Sequence, residues 1–221
     1  MTENWAAADR YLTDVLVGDD PALDAIITAN AEAQLPPIDV APVQGKFLHL
    51  LARAIGARRI LEIGTLGGYS TVWLARAVGG DGRVITIEYD SHHAEVARAN
   101  IDRALVGERV EIKVGAALDI LPTLPADAPF DLVFIDADKP NNSNYVRAAL
   151  RLSRPGTVIV VDNIARDGTI ADPDQDDERV AASREVLDLL ATDPRLDATA
   201  LQTVGVKGWD GFAMALVQDV G

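Results

Sequence analysis

Hydrophobic and polar positions change their period near residue 58. Before it the spacing is helical, over 5–17, 21–34 and 44–55; in the third of these Phe47, Leu48, Leu51 and Ile55 recur on one face. Between the second and third, Leu35-Pro36-Pro37-Ile38-Asp39-Val40-Ala41-Pro42 is forced by its prolines into an extended path, a candidate rim or lid. After residue 58, short β-branched runs at 59–63, 83–88, 110–114, 132–136 and 157–162 alternate with helical stretches at 70–78, 93–105, 117–121 and 144–152. That alternation predicts an α/β fold with a parallel sheet and right-handed crossovers. A polar loop over 165–177 and a helix over 178–191 follow, then strand candidates at 198–204 and 211–218. The last connection, about six residues, is too short for a parallel crossover, so the final strand is expected to run antiparallel.

At 221 residues the chain suits one domain, with helices and rim over 1–57 and an α/β core over 58–221. Hydrophobic residues make up 48% and aromatic ones only 5%, so the core is expected to be built of Ala, Val, Leu and Ile. The 34 acidic residues against 20 basic ones leave a net charge of −14, which disfavours nucleic acid and anionic lipid as partners. There is no cysteine, which removes thiolate chemistry and Cys-type zinc sites. No signal peptide and no apolar run of roughly 18 residues is recognisable, so no membrane span is expected and cytoplasm is the default location.

Two features point to an adenosine ligand. Ile60-Leu61-Glu62-Ile63-Gly64-Thr65-Leu66-Gly67-Gly68-Tyr69-Ser70 reads as a strand, a glycine turn and a helix start, where a ligand can approach the backbone closely. Leu66 stands where the dinucleotide fingerprint needs its second glycine, which disfavours a pyrophosphate. Glu88, 20 residues after Gly68, ends the next strand where a carboxylate can accept hydrogen bonds from both ribose hydroxyls. Gly115-Ala116-Ala117, after the third strand, leaves room for a flat base. The plainer reading makes Glu88 a strand cap and the glycines only a turn.

A second cluster lies at the ends of the fourth and fifth strands: Asp136-Ala137-Asp138-Lys139 and Asp162-Asn163. In an open α/β sheet these strand ends meet at the ligand crevice, so Asp136, Asp162 and Asn163 form an oxygen-only donor set suited to Mg²⁺ or another hard divalent ion. Taken singly, each reads as an ordinary loop or Asx-turn residue. Lys139 shares that pocket, where burial and a nearby cation would lower its pKa toward that of a general base. His49, His92 and His93 read as solvated side chains, with none paired to a carboxylate. Trp73 reads as a core residue, 172–178 as a solvated acidic loop, Trp209 as structural, and Trp5 stays undecided.

Together, LEIGTLGGYS (61–70), Glu88, FIDADK (134–139) and VDN (161–163) resemble the cation-dependent, class I O-methyltransferase family that includes catechol and caffeoyl-CoA O-methyltransferases. The resemblance implies a Rossmann-like seven-stranded sheet with its last strand reversed. It also implies S-adenosylmethionine as methyl donor, a Mg²⁺-type ion, a small aromatic vicinal diol as acceptor, and a homodimer. It carries Asp136, Asp162 and Asn163 over as metal ligands and Lys139 as the base. Val40, Glu62, Gly64, Thr65, Gly68, Ser70, Glu88, Ala117 and Asp136 fall where the family meets its donor. Two other readings fit a similar sheet, an NAD-linked oxidoreductase and a non-catalytic adenosine-binding module. Pro140-Asn141-Asn142-Ser143-Asn144-Tyr145 departs from the plant members, which place a tyrosine sooner.

Overall fold

The computed structural model describes residues 2–219; Met1, Val220 and Gly221, the ends of the expected domain, lie outside the described residues. Seven strands, β1 (Arg59–Ile63), β2 (Arg83–Glu88), β3 (Val110–Val114), β4 (Leu132–Ile135), β5 (Val158–Asp162), β6 (Leu196–Gly205) and β7 (Gly208–Val217), form one sheet in the order β3-β2-β1-β4-β5-β7-β6. The first five pair in parallel, and β7 runs antiparallel to both β5 and β6. The expected reversed last strand is therefore present.

Parallel strands covered on both faces need apolar residues at consecutive positions. Accordingly, β4 reads Leu-Val-Phe-Ile and is buried throughout. Leu132 and Phe134 join one core, Val133 and Ile135 the other. The first core is completed by α2 (Pro21–Glu32), α3 (Pro42–Ala54), α4 (Tyr69–Ala77) and α5 (Ser91–Arg103), through Ile26, Leu48, Trp73 and Ile101. The second takes Val146 and Ala149 from α7 (Asn142–Arg151) and Val186 and Leu190 from α8 (Glu178–Thr192). Trp73 is a core residue, as its place on an apolar helix face implied.

Helix ends differ from the periodicity for local reasons. Helix α1 (Thr2–Leu12) begins before the expected residue 5 and runs into a π-helical turn, Thr13–Val17, closed by Gly18 N–H donating to the Thr13 carbonyl. Helix α2 ends two residues early because Gln34 turns left-handed, with φ 60°. Pro42, taken as part of the extended rim, is instead the first residue of α3, where its missing N–H removes a donor that no helix bond would use. Helix α5 starts at Ser91 because the Asp90 carboxylate accepts the His92 N–H at 2.7 Å. Helix α7 starts at Asn142 after a 3₁₀ turn, Lys139–Asn141, and the short α6 spans Ala117–Ile120. The β6–β7 connection is not six residues but a two-residue hairpin, Val206-Lys207, since Gly205 already pairs with Gly208. Among the described residues, no helix is long and apolar enough to cross a membrane.

Candidate active site

Strand β1 sends its chain to β2 on one side, while β4 pairs on its other side, so the crevice of the sheet opens between the carboxyl ends of β1 and β4. Gly64 sits there with φ 100°, and a Cβ added to it would lie 1.9 Å from the Asp136 carbonyl oxygen. The two strand ends can approach this closely only over a glycine. The turn continues through Leu66, itself left-handed at φ 49°, to Gly68, which starts α4 with φ 86° and would meet Ile101 if it carried a side chain.

Beneath the turn, Glu62 is fully buried. It accepts hydrogen bonds from Ser70 Oγ at 2.6 Å, from Thr71 Oγ1, and from Thr86 Oγ1 at 2.7 Å. Burial pushes its carboxyl up to about 7, against the pull of the three hydroxyls. Ser70, which donates to it, stands at the start of α4, and Gly68 packs on α5, so both positions brace the turn; their sequence positions beside the glycines did not show which way they face. Glu88 does reach a cavity, but its carboxylate is anchored: Oε2 accepts the Thr65 and Leu66 N–H groups at 3.1 and 2.8 Å, and Oε1 accepts that of Asp90 at 3.0 Å. His93 Nδ1 lies 3.6 Å from the same carboxylate, an approach that spacing along the sequence did not signal. Residues five apart on a strand end and the following helix meet only because the chain folds back there.

Three connected hollows surround these residues. One, of about 430 Å³, is bordered by Gly64, Glu88, Gly115, Ala117 and Tyr145. A narrow cleft beside it, about 40 Å³, is bordered by Val40, Gly64, Thr65, Ser70 and Asp136. The largest, about 950 Å³, is bordered by Val40, Asp136, Lys139, Asp162 and Asn163. Gly64 is common to the first two hollows, and Val40 and Asp136 to the last two. The rim segment thus does close over the site.

On the floor of the largest hollow, Lys139 Nζ donates to Asp136 Oδ1 at 2.9 Å. Asp162 accepts Gln44 Nε2 at 2.7 Å and the Asn163 N–H at 2.9 Å. Asn163 itself is left-handed, with φ 61°. Burial, and next the Asp136 charge, push the Asp162 carboxyl up to about 7, while Lys139 pulls it down. Two carboxylates here face one ammonium in a desolvated setting, and their oxygens with the Asn163 amide suit a hard divalent ion. Among the described residues there is no group of three or more His, Cys, Asp or Glu placed to hold a metal. The third donor in this set is an amide oxygen.

Several residues at the site carried no sequence signal. Gln44 became visible only when α3 packed beside β5, 118 positions away. Tyr145, where the chain departs from the plant pattern, donates its hydroxyl to Asp138 Oδ1, joining the walls of both large hollows. His49 and His92 stay structural, near the carbonyl oxygens of Trp73 (3.1 Å) and Ala33 (3.0 Å), and burial pushes His49 down. Trp209 donates Nε1–H to Gln202 and lies over Gly168, a structural role. The acidic loop is not merely solvated: Arg184 binds its backbone carbonyls and Asp177 caps α8.

A model of the O-methyltransferase family matches residues 14–216. The chain is 60% identical over 210 residues to a catechol O-methyltransferase of Mycobacterium tuberculosis, covering 95% of this chain and 94% of that protein. It is 50% identical over 216 residues to a catechol O-methyltransferase of Niastella koreensis, covering 97% and 98%. The crystal structure of the O-methyltransferase from Bacillus cereus in complex with SAH superposes with a TM-score of 0.96 at 53% identity, covering 99% of this chain and 100% of that one. Sheet order, glycine turn and sequence agree over nearly the whole length, and the chain belongs to the O-methyltransferase family.

Proposed function

We propose that this chain moves the methyl group of S-adenosylmethionine onto one hydroxyl of a small aromatic vicinal diol, with a divalent cation of the Mg²⁺ type at Asp136, Asp162 and Asn163. The observation that carries it is the junction of hollows at Asp136. A nucleoside-sized space under Glu88 and the glycine turn shares Gly64 with a narrow cleft, which in turn shares Val40 and Asp136 with a larger cavity bordered by two carboxylates, an amide and Lys139. SAH in the Bacillus cereus relative and the catechol activity named for two others support the same reading.

Each group has a definable task. Glu88, held rigid by three backbone N–H groups, keeps one acceptor position, on Oε1, for a ribose hydroxyl. Gly115 and Ala117 leave the flat space for the base, and Val40, Gly64, Thr65, Ser70 and Asp136 line the passage for the donor's amino-acid end. Asp136, Asp162 and Asn163 would hold the cation, whose chemistry is to stabilise negative charge on the ionising hydroxyl. Lys139 is the group placed to take the hydroxyl proton. The acceptor oxygen then bonds to the methyl carbon as the carbon–sulfur bond breaks, and that electron pair stays on sulfur. Holding the two reactants in line can lower the barrier by roughly 7–11 kcal/mol.

Product analysis with catechol and a caffeoyl compound tests this. Turnover is expected to stop on thorough chelation and return with added Mg²⁺; turnover that survives chelation removes the metal role.

The homodimer belongs to the same reading. Phe47, Leu51, Leu201, Phe212 and Met214 line an apolar groove beside the edge strand β6, where Leu201 and Val204 are exposed. A second copy covering that edge would bury both.

A further inference from the structure

The 950 Å³ cavity is at the upper end of the size range of small-molecule sites, far more than an unsubstituted benzenediol fills. Four cationic side chains border it: Lys139, Arg166, Arg179 and Lys207. Three are engaged. Lys139 holds Asp136, Arg179 pairs with Asp177 at 2.6 Å, and Lys207 donates to the Pro37 carbonyl at 2.9 Å. Arg166 differs: its backbone N–H donates to Asp210 Oδ1 at 3.0 Å, but its guanidinium has no hydrogen-bond or ion-pair partner among the described residues. Its charge is felt at Asp177, whose carboxylate is already bound to Arg179.

The backbone around Arg166 is built at a cost. Arg166, Asp167 and Gly168 are consecutive left-handed residues, with φ 53°, 56° and 80°. For the two that are not glycine this conformation is disfavoured, and such strain persists only where the surroundings impose it. Here they do. Asp210 accepts the N–H groups of Ala165, Arg166 and Gly211, and the Trp209 ring packs so closely on Gly168 that a Cβ there would lie 2.5 Å away. Arg184 donates to the carbonyls of Thr169, Ile170, Asp172 and Gln175. A strained segment clamped from three sides sets Arg166, whose guanidinium has no partner among the described residues, at the border of the cavity, in a chain whose net charge is −14. Arg166 also lies only three residues past Asn163, and both border the same cavity.

Resting on the methyl-transfer reading above, we propose that Arg166 is a specificity residue that selects acceptors bearing a carboxylate on the ring, remote from the diol. The planar guanidinium fork matches a carboxylate. Of the acids that border the cavity, Asp9 accepts the Val206 N–H through Oδ2, and Asp210 accepts three backbone N–H groups through Oδ1.

The test compares 3,4-dihydroxybenzoate, 3,4-dihydroxycinnamate and neutral 4-methylcatechol as acceptors for the wild type, Arg166→Gln and Arg166→Lys, with Mg²⁺ and donor saturating. The glutamine variant is expected to lose about tenfold or more in kcat/KM on both carboxylates, chiefly through KM. Its activity on 4-methylcatechol should change less than about twofold, and lysine should restore part of the loss. Equal losses on charged and neutral acceptors, or none on either, overturn the assignment while leaving methyl transfer standing. A wild type inert on all three diols overturns the catechol reading itself and this inference with it.

Discussion

At Gly64 a single hydrogen atom in place of a side chain lets β1 and β4 end side by side. Gly64→Ala is expected to destabilise the protein by at least about 1–3 kcal/mol from backbone strain. Displacement of the Asp136 carbonyl 1.9 Å from the new Cβ adds to this. A urea titration measures the loss, and an unchanged midpoint would show that the strand ends can separate freely. Lys139 makes the opposite kind of prediction. Its side chain borders the acceptor cavity and not the nucleoside space, so Lys139→Ala should cut kcat by about 100-fold or more and leave donor affinity within about twofold. A loss confined to donor binding, measured by calorimetry, would move Lys139 out of the proton-transfer role. Both residues were legible in the sequence, since each stands in a motif tied to a strand end. The facing of Glu62 and the pairing of Glu88 with His93 were not, because a strand's alternation gives a side but not what the next helix brings to it.

The element beneath the glycine turn is a buried carboxylate held by three hydroxyls, and that makes the turn sensitive to pH. Glu62 has an ordinary value near 4.5 and is raised to about 7 in the folded protein. Below 4.5 it is protonated in both states and burial is uncharged; above about 7 it is ionised in both, and folding must bury the charge. Stability from this group is therefore present at low pH and lost as pH rises from 4.5 through 7. Asp162 acts in the same direction, so the difference between the wild type and Glu62→Gln isolates Glu62. The wild type's urea midpoint should fall more steeply across that window than the variant's; equal slopes would mean that Glu62 does not titrate there. Helix boundaries show the same dependence on local chemistry. Asp90 as a cap and Pro42 as a first helical residue are sequence signals, but Pro42 sits in a proline-rich run whose extended part and helical start look alike until α3 packs against α4.

Over the whole molecule, the edge strand β6 and the groove at Phe47, Leu51 and Met214 form an apolar face on a chain that otherwise carries a strong negative charge. If two copies meet there, Leu201→Glu should convert a dimer to a monomer in light scattering without changing the monomer's circular dichroism; a dimer that survives places the interface elsewhere. The sequence by itself determined the parallel sheet, its reversed last strand and the motifs at the strand ends, because periodicity and connection length are local properties that neighbouring elements cannot easily override. Only the tertiary structure decided which side chains come together: that Gln44 meets Asp162 across 118 positions, that Glu62 turns inward, and that the Arg166 side chain, at the border of the largest cavity, has no partner among the described residues. Those outcomes depend on how helices settle on the sheet, and close packing fixes side-chain direction at a scale that no spacing along the chain encodes.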